Sequence, residues 1–264
     1  MTRFLKRTYR GLLLPLVLIL VWEILNYLGL VNAYLLPPPS GIIDRLFSLA
    51  HNGELLKNLS ASLYRVGCGF GLAICLALPL GFLLGLARKA QGYLSPFLTF
   101  LQQIPAIAWI PMFILWLGID EASKITIITY SGFFPIFLNT MHGISNTDPK
   151  LKEAASTFGL SPGQIIIRVY LPSAAPSIFI GMRLGLSFCW RSLVAAELLG
   201  ASKGIGYLIQ EGRELAQPDL MIAGVLVIGL TGLVLDFFFR RLEKMILPWR
   251  ETFEADEVPK WQPF

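Results

Sequence analysis

The chain has 264 residues, of which 55% are hydrophobic and 15% are charged, and its mean hydropathy is +0.63. Soluble domains are about 45–50% apolar and about 25% charged, so this composition excludes an ordinary soluble globule and a disordered chain. At about 20 apolar residues per span, the length fits five to seven membrane helices with short loops. The formal net charge of +5 therefore bears on orientation in a membrane and does not indicate a nucleic-acid partner.

Apolar runs predict six membrane helices joined by short connections. In chain order they cover about residues 11–31, 66–87, 90–119, 125–143, 173–200 and 220–239. The first run is longer than the core of a signal peptide, which favours an uncleaved span. Prolines 96, 105 and 111 predict kinks or unwound points in the third span. Residues 41–65 are predicted to form amphipathic helices at the interface, and residues 201–218 a polar connection.

The basic residues predict the orientation of these spans. The 22 Lys and Arg residues divide into fourteen on the side of the N-terminus, six on the opposite side, and two within the fifth span. Because Lys and Arg accumulate on the cytoplasmic side, both termini are predicted to be cytoplasmic. The predicted organisation is a basic N-terminus (1–10), a six-span domain (11–240) with a long cytoplasmic loop at about 144–168, and a cytoplasmic tail (241–264).

Two motifs for covalent chemistry are missing from the sequence. It contains no G-x-x-x-x-G-K-[ST] phosphate loop and no H-E-x-x-H. The two histidines, His51 and His142, are predicted on opposite sides of the membrane, and the three cysteines lack metal-ligand spacing. The sequence therefore predicts a chain that is not an enzyme and that carries no catalytic residue and no metal site.

The cytoplasmic loop predicts a short helical hairpin. Asp148 is placed to cap a helix that starts at Pro149, and Gly159 to end it in a left-handed conformation. Ser161-Pro162 repeats the start signal for a second helix, and Leu171-Pro172 is predicted to end that helix. The small side chains of this loop allow another backbone to approach closely.

This loop resembles the cytoplasmic signature of binding-protein-dependent ABC-importer permeases. The residues in register are Glu153, Ala154, Ala155, Gly159, Val169, Leu171 and Pro172, with Val169 in place of the more usual Ile. The resemblance implies a type I ABC-importer permease fold, with the loop docked on a separate ATPase. It also implies a second copy of this chain, two ATPase subunits that bind ATP and Mg, and an extracytoplasmic solute-binding protein, with no cofactor in this chain.

Further stretches resemble one branch of that family, whose permeases carry alkanesulfonates, taurine, nitrate, bicarbonate or pyrimidine precursors in the bacterial inner membrane. They are residues 36–39, 104–111, 116–119, 190–197 and 204–208. This resemblance implies uptake of a small anionic solute into the cytoplasm. It leaves the solute open, because the binding protein usually selects it.

The fifth span carries ionisable residues on one face. Arg183, Trp190 and Glu197 are seven residues apart and so lie within about 40° on the helix, with Ser187 on the same stripe. A charge in a span faces the bundle interior or water, which predicts either a translocation pathway, with Trp109 as a further candidate, or an internal pair of Arg183 with an acidic residue such as Glu23 or Glu197. Glu23 and Asp236 are predicted to be structural partners and not ligands of the solute. Arg191 lies off this stripe and is predicted to snorkel towards the interface.

A second class of function stays open at this point. A stand-alone channel or secondary carrier also has six spans and no ATP site. Such a carrier needs acidic residues within its spans to couple transport to a gradient, and the candidates are Glu23, Glu197 and Asp236.

Overall fold

The computed structural model describes residues 2–248, and all regular secondary structure in that range is helical. The helices are α1 (Thr2–Tyr27), α2 (Pro39–His51), α3 (Glu54–Leu86), α4 (Arg88–Gln103), α5 (Ala106–Leu117), α6 (Glu121–Ser145), α7 (Pro149–Thr157), α8 (Pro162–Ile165), α9 (Leu171–Gly200), α10 (Ile205–Glu214) and α11 (Pro218–Ile246). A π-helical turn, Ile166–Tyr170, joins α8 to α9. The all-α class predicted from composition is confirmed.

Three helical segments of the described residues are long and apolar enough to cross a bilayer. They are α3, the continuous stretch Pro162–Gly200, and α11. The pair α4–α5 makes a fourth when it is counted as one broken span, and α1 contributes the shorter apolar stretch Leu13–Tyr27. Length and composition thus support three or four spans, and the six-span arrangement stays a prediction.

Helix α6 corresponds to the fourth predicted span, but it is less apolar than the helices that are counted as spans. Thr129, Asn139 and Thr140 donate hydrogen bonds to carbonyl oxygens of their own helix, four residues earlier, over 2.8, 2.8 and 2.7 Å. Because these polar groups find partners within the helix, α6 can be buried despite carrying them. More than half of its 25 residues are buried.

The break predicted from prolines in the third span is confirmed at one of the three. The helix stops at Gln103 and resumes at Ala106, and the two halves are bent by 89°. Ile104 is extended (φ −79°, ψ 114°), because a residue before proline is disfavoured in the α conformation. Pro96 and Pro111 lie inside α4 and α5 without interrupting them.

The first compact unit combines the described residues up to Ser62 with Glu197–Leu230. A cluster of buried apolar side chains forms its core: Ile42, Leu49, Leu208, Leu220 and Ala223. At the start of α2, the Glu23 carboxylate accepts hydrogen bonds from the Ser40 hydroxyl (2.8 Å) and amide (3.2 Å). Glu23 therefore supports the first turn of α2, where a negative charge is favourable.

The second compact unit combines Leu63–Ala196 with the described residues from Thr231 onward. One of its apolar clusters contains Ala73, Ala77, Ile136, Phe137 and Met141, contributed by α3 and α6. Glycines let these two helices approach closely. A β-carbon at Gly81 would lie 2.7 Å from the Phe137 carbonyl oxygen, and one at Gly85 2.7 Å from the Ile144 β-carbon.

Three predicted boundaries are wrong. Residues 54–65 belong to α3 because nothing interrupts the helix between Glu54 and the apolar run that follows. The connection 201–218 contains α10, whose buried Ile205, Leu208 and Gly212 recur at helical spacing. Leu171-Pro172 does not end a helix, since the preceding π-helical turn shifts the hydrogen bonds and accommodates the missing proline N–H.

Candidate functional site

The loop between α6 and α9 contains the predicted helical hairpin. The Asp148 side chain accepts a hydrogen bond from the Lys150 amide (2.9 Å), and Pro149 occupies the first turn of α7. Gly159 has φ +74°, and the amides of Gly159 and Leu160 bond back to Ser156 and Ala155 over 3.0 and 3.1 Å. This is the left-handed helix end that the sequence predicts at Gly159.

The second helix of the hairpin also begins as predicted. The Ser161 hydroxyl accepts a hydrogen bond from the Gln164 amide (3.4 Å), and the Gln164 side chain accepts one from the Ser161 amide (2.9 Å). This reciprocal pair is a capping box, with Pro162 in the first turn of α8. Local sequence signals alone therefore fix the shape of the hairpin.

An exposed apolar stripe runs along α7 and its C-terminal cap, which the sequence analysis missed. Ala155 is buried, whereas Glu153 and Ala154 are exposed. Leu151 and Phe158 leave 50% and 83% of their surface uncovered, and with Ala154 they recur at positions i, i+3 and i+7. A large apolar side chain that is this exposed on a solvated helix is typical of a contact surface. The helical spacing of these apolar residues was the signal from which the sequence could have predicted this surface.

A cavity of about 820 Å³ lies beside α7 and includes Lys152, Glu153, Ser156 and Thr157 among its lining residues. Leu171 and Pro172 stand at the start of α9, after the π-helical turn. The signature residues therefore fall into two sets: those of α7 with Gly159, and Val169 of the π-helical turn with the first two residues of α9.

The predicted pathway residue Arg183 lies in an ion pair. Its Nε donates to an Asp236 carboxylate oxygen at 2.8 Å, and the other oxygen accepts from Arg240, also at 2.8 Å. The internal pair that is one of the two predicted alternatives is therefore present, with Asp236 of α11 as the partner instead of Glu23 or Glu197. The Ser187 hydroxyl donates to the Arg183 carbonyl (3.1 Å).

Glu197 is 1% exposed and holds the start of α10. Its carboxylate accepts hydrogen bonds from the Ser62 hydroxyl (2.7 Å) and the Gly206 amide (2.8 Å). The Ser62 oxygen accepts from the Ile205 amide (2.9 Å), and the Asn58 side chain from the Gly204 amide (2.8 Å). These contacts satisfy N–H groups at the start of α10, where a carboxylate is favourable.

The two predicted tryptophans lie in packed surroundings of the second unit. Trp190 is 7% exposed and packs closely against Gly232, whose added β-carbon would lie 3.0 Å from the indole nitrogen. Trp109 belongs to an aromatic cluster, with ring centroids 6.1 Å from Phe113 and 5.8 Å from Tyr130. The structure thus gives Arg183, Trp190 and Glu197 separate contacts.

At the start of α6, a buried arginine pairs with Glu121. Arg65 is 3% exposed and donates to both carboxylate oxygens of Glu121, over 2.6 and 2.7 Å. This charge-assisted, two-pronged hydrogen bond is the main reason that the pKa of Glu121 lies below its usual value.

Comparison with known proteins gives one family match. The profile described as "binding-protein-dependent transport system inner membrane component" matches residues 77–248. This range contains the hairpin, the broken pair α4–α5, and all of α9.

Two curated relatives cover most of the chain. The aliphatic sulfonates transport permease SsuC of Bacillus subtilis is 41% identical over 246 residues, which is 93% of this chain and 89% of that protein. The taurine transport system permease TauC of Escherichia coli is 32% identical over 238 residues, which is 88% of this chain and 86% of that protein.

The fold also has a counterpart among solved structures. An inward-facing structure of the MetNI methionine ABC transporter contains a chain that matches with a TM-score of 0.65 at 18% identity. The match covers 75% of this chain and 98% of that one. At this identity, the likeness concerns the fold alone.

Proposed function

This chain belongs to the family of inner membrane components of binding-protein-dependent transport systems, and from that membership we propose that it is the permease subunit of an ATP-driven importer of small organic sulfonates. It is a multi-pass protein of the inner membrane. The observation that carries the sulfonate assignment is identity of 41% and 32%, along most of the chain, with relatives named for aliphatic sulfonates and for taurine.

The exposed stripe of Leu151, Ala154 and Phe158, on α7 and its C-terminal cap, supports a contact with an ATPase subunit. Water is a poor environment for Phe158, so burying it in a groove of a partner is favourable, at about 25 cal/mol per Å² of apolar surface. Movement of the ATPase then reaches α9 through a short, capped hairpin that transmits force without unfolding. Glu153, Gly159, Leu171 and Pro172 keep their assignment to this coupling segment.

The complete importer that we propose contains two copies of this chain, two ATPases that bind ATP and Mg, and one extracytoplasmic binding protein. Each copy has six spans and cytoplasmic termini, in accord with the distribution of Lys and Arg. This chain performs no covalent chemistry. For the pathway, Ser187, Trp190 and Trp109 stay predictions, while the contacts of Arg183 and Glu197 favour roles in holding helices together.

Uptake measurements test this proposal directly. The chain is produced with its neighbouring ATPase and binding protein in a bacterial strain that lacks its own sulfonate importers. We expect ATP-dependent uptake of radiolabelled ethanesulfonate, and growth on that compound as the only sulfur source. A complex that hydrolyses ATP with its binding protein but imports only nitrate or bicarbonate contradicts the sulfonate assignment and leaves the permease assignment standing.

Labelling of cysteines tests the orientation. In a variant without the native cysteines, a cysteine at Glu121 or Lys203 should react with a membrane-impermeant thiol reagent added outside. A cysteine at Ser156 should react only after the membrane is permeabilised, and it should react more slowly when the ATPase is bound. Labelling of position 156 from outside contradicts the proposed topology.

A further inference from the structure

A cavity of about 510 Å³ lies at the break between α4 and α5, within the second compact unit. Residues of the break, of α6 and of α9 line it. The polar side chains among them are Gln102, Gln103, Tyr130, Ser131, Arg191 and Ser192. Its size is in the range of small-molecule binding sites.

Arg191 gives this cavity a positive charge that no described carboxylate neutralises. Its guanidinium lies 5.4 Å from the centroid of the Phe188 ring, and it forms no ion pair with a carboxylate of residues 2–248. Its side chain is exposed on α9, nine residues before Gly200, about 14 Å along the axis. A cation within a span is costly against lipid, so we expect this face of α9 to meet water or a solute.

The broken span supplies a second source of positive potential. Helix α5 has 12 residues, and Pro105, which precedes it, provides no side-chain cap. Ala106 and Ile107, in its first turn, line the cavity. The first N–H groups of a helix lack partners within the helix and carry a partial positive charge, which favours anions. In transporters, such half-helix N-termini point at anionic groups of substrates.

The rest of the wall suits a short alkyl chain. Ile104, Ile107, Phe134 and Phe188 contribute apolar surface next to the polar groups. The Ser131 hydroxyl can donate a hydrogen bond to an anion that Arg191 attracts. An alkanesulfonate has both parts: three anionic oxygens for the polar end and a carbon chain for the apolar wall. Nitrate and bicarbonate lack the second part.

We propose that this cavity is a binding site of the permease itself for the solute, in which Arg191 and the start of α5 hold the sulfonate group. The proposal rests on the proposed function and goes beyond it, because it places selection for an anion in this chain as well as in the binding protein. It also replaces the predicted interfacial role of Arg191 by a direct role in solute binding.

A thiol probe inside the cavity tests the proposal without requiring transport. Cys68, Cys75 and Cys189 are replaced by Ala, and Ala195, a small lining residue, becomes the single cysteine. In the assembled complex in nanodiscs, the anionic reagent 2-sulfonatoethyl methanethiosulfonate should modify Ala195→Cys at least tenfold faster than its trimethylammonium counterpart. Ethanesulfonate should slow this reaction.

Matched charge changes identify the source of the preference. Adding Arg191→Gln should remove the tenfold difference between the reagents. Arg213→Gln, which removes an exposed cation on α10, should leave that difference unchanged. Equal rates for both reagents in the protein that retains Arg191 overturn the proposal. So does a preference that changes with the anionic lipid content of the nanodisc and not with ethanesulfonate, because a lipid head group then occupies Arg191.

Uptake assays connect the cavity to transport. Arg191→Gln should lower ethanesulfonate uptake at least tenfold and raise the concentration for half-maximal uptake, while assembly and basal ATP hydrolysis persist. Arg191→Lys, which keeps the charge, should retain a measurable part of the uptake. Uptake by Arg191→Gln equal to that of the unaltered complex overturns the proposal. If no sulfonate is imported but the reagent preference is present, the proposed solute is wrong and the anion site stands.

Discussion

Helix α9 carries two arginines, eight residues apart, in opposite electrostatic situations. Arg183 lies 2.8 Å from the Asp236 carboxylate, which is also held by Arg240. Arg191 faces the cavity beside the broken span and forms no ion pair with a described carboxylate. The first guanidinium is part of a helix-to-helix contact, and the second is available to a ligand.

The difference shows that a charge within a span has no fixed meaning. Either arginine is costly in lipid, and this cost predicts only that each one has a partner or meets water. The partner decides the role. Asp236 lies 53 residues after Arg183, whereas the partner that we propose for Arg191 is the solute. Removing charges one at a time therefore separates the two roles.

The largest effect is expected at the paired arginine. Asp236→Asn removes the carboxylate that pairs with the Arg183 guanidinium. About a third of each side chain of this pair is exposed, so the unpaired charge is only partly buried. Breaking such a pair should lower the stability of the complex by roughly 2–3 kcal/mol, less than for a fully buried pair. The measurement is the apparent melting temperature of the purified complex, compared with Asp44→Asn on the exposed face of α2.

The double variant completes this test. If Arg183 serves mainly to hold α11, Arg183→Gln combined with Asp236→Asn should recover most of the melting temperature, because Arg240, which also loses this carboxylate, is 57% exposed and its charge stays solvated. A double variant that stays stable but loses uptake selectively indicates instead that Arg183 lines the pathway, as one of the two alternatives from the sequence predicts.

The third ionisable group of α9, Glu197, is held by hydrogen bonds that include a backbone amide and a hydroxyl. Gly204 has φ +133°, and a β-carbon there would collide with the Glu197 carboxylate. Gly204→Ala should therefore displace the start of α10 and cost about 2 kcal/mol of stability. Gly229→Ala on α11, where an added β-carbon meets nothing within 4 Å, is the matched control in thermal unfolding. Equal melting temperatures for the two variants contradict the cap.

These contacts also show what the sequence predicts well and what it does not. The hairpin of residues 148–165 is set by signals within a few residues, namely Asp148, Gly159 and the Ser161–Gln164 capping box, and its shape is confirmed. Glu197 depends on Ser62, 135 residues away. Hydropathy and helical periodicity contain no information on such distant pairs, so the sequence offered several acidic residues as partners without assigning Asp236 to Arg183, and the cavity at Arg191 was missed.

The hairpin differs from the charged positions of α9, because only residues close to one another in the sequence set its shape. A β-carbon at Gly159 meets nothing within 4 Å, so replacement affects only the left-handed backbone, φ +74°. Gly159→Val should strain this turn by about 1–2 kcal/mol and reduce uptake while membrane insertion stays normal. Gly159→Asn, which tolerates this conformation better, should retain more uptake. Unchanged uptake and ATP hydrolysis in the Val variant contradict the coupling role.

A third arginine, Arg65, extends the comparison of the two arginines of α9, because the Glu121 carboxylate that it binds is in contact with water. The carboxylate of Glu121 is 51% exposed, and Arg65 lowers its pKa below the usual 4.5. A carboxyl with a lowered pKa in the folded state adds stability at all pH values above its unfolded pKa, and this stability is lost as the pH falls through the folded value. Between pH 7 and pH 3.5, the unaltered complex should therefore lose more stability than Glu121→Gln, which has no proton to gain. Because half of the side chain is exposed, the excess should be at most about 1 kcal/mol. Parallel melting curves of the two proteins over this pH range would show that the Arg65–Glu121 pair adds no measurable stability.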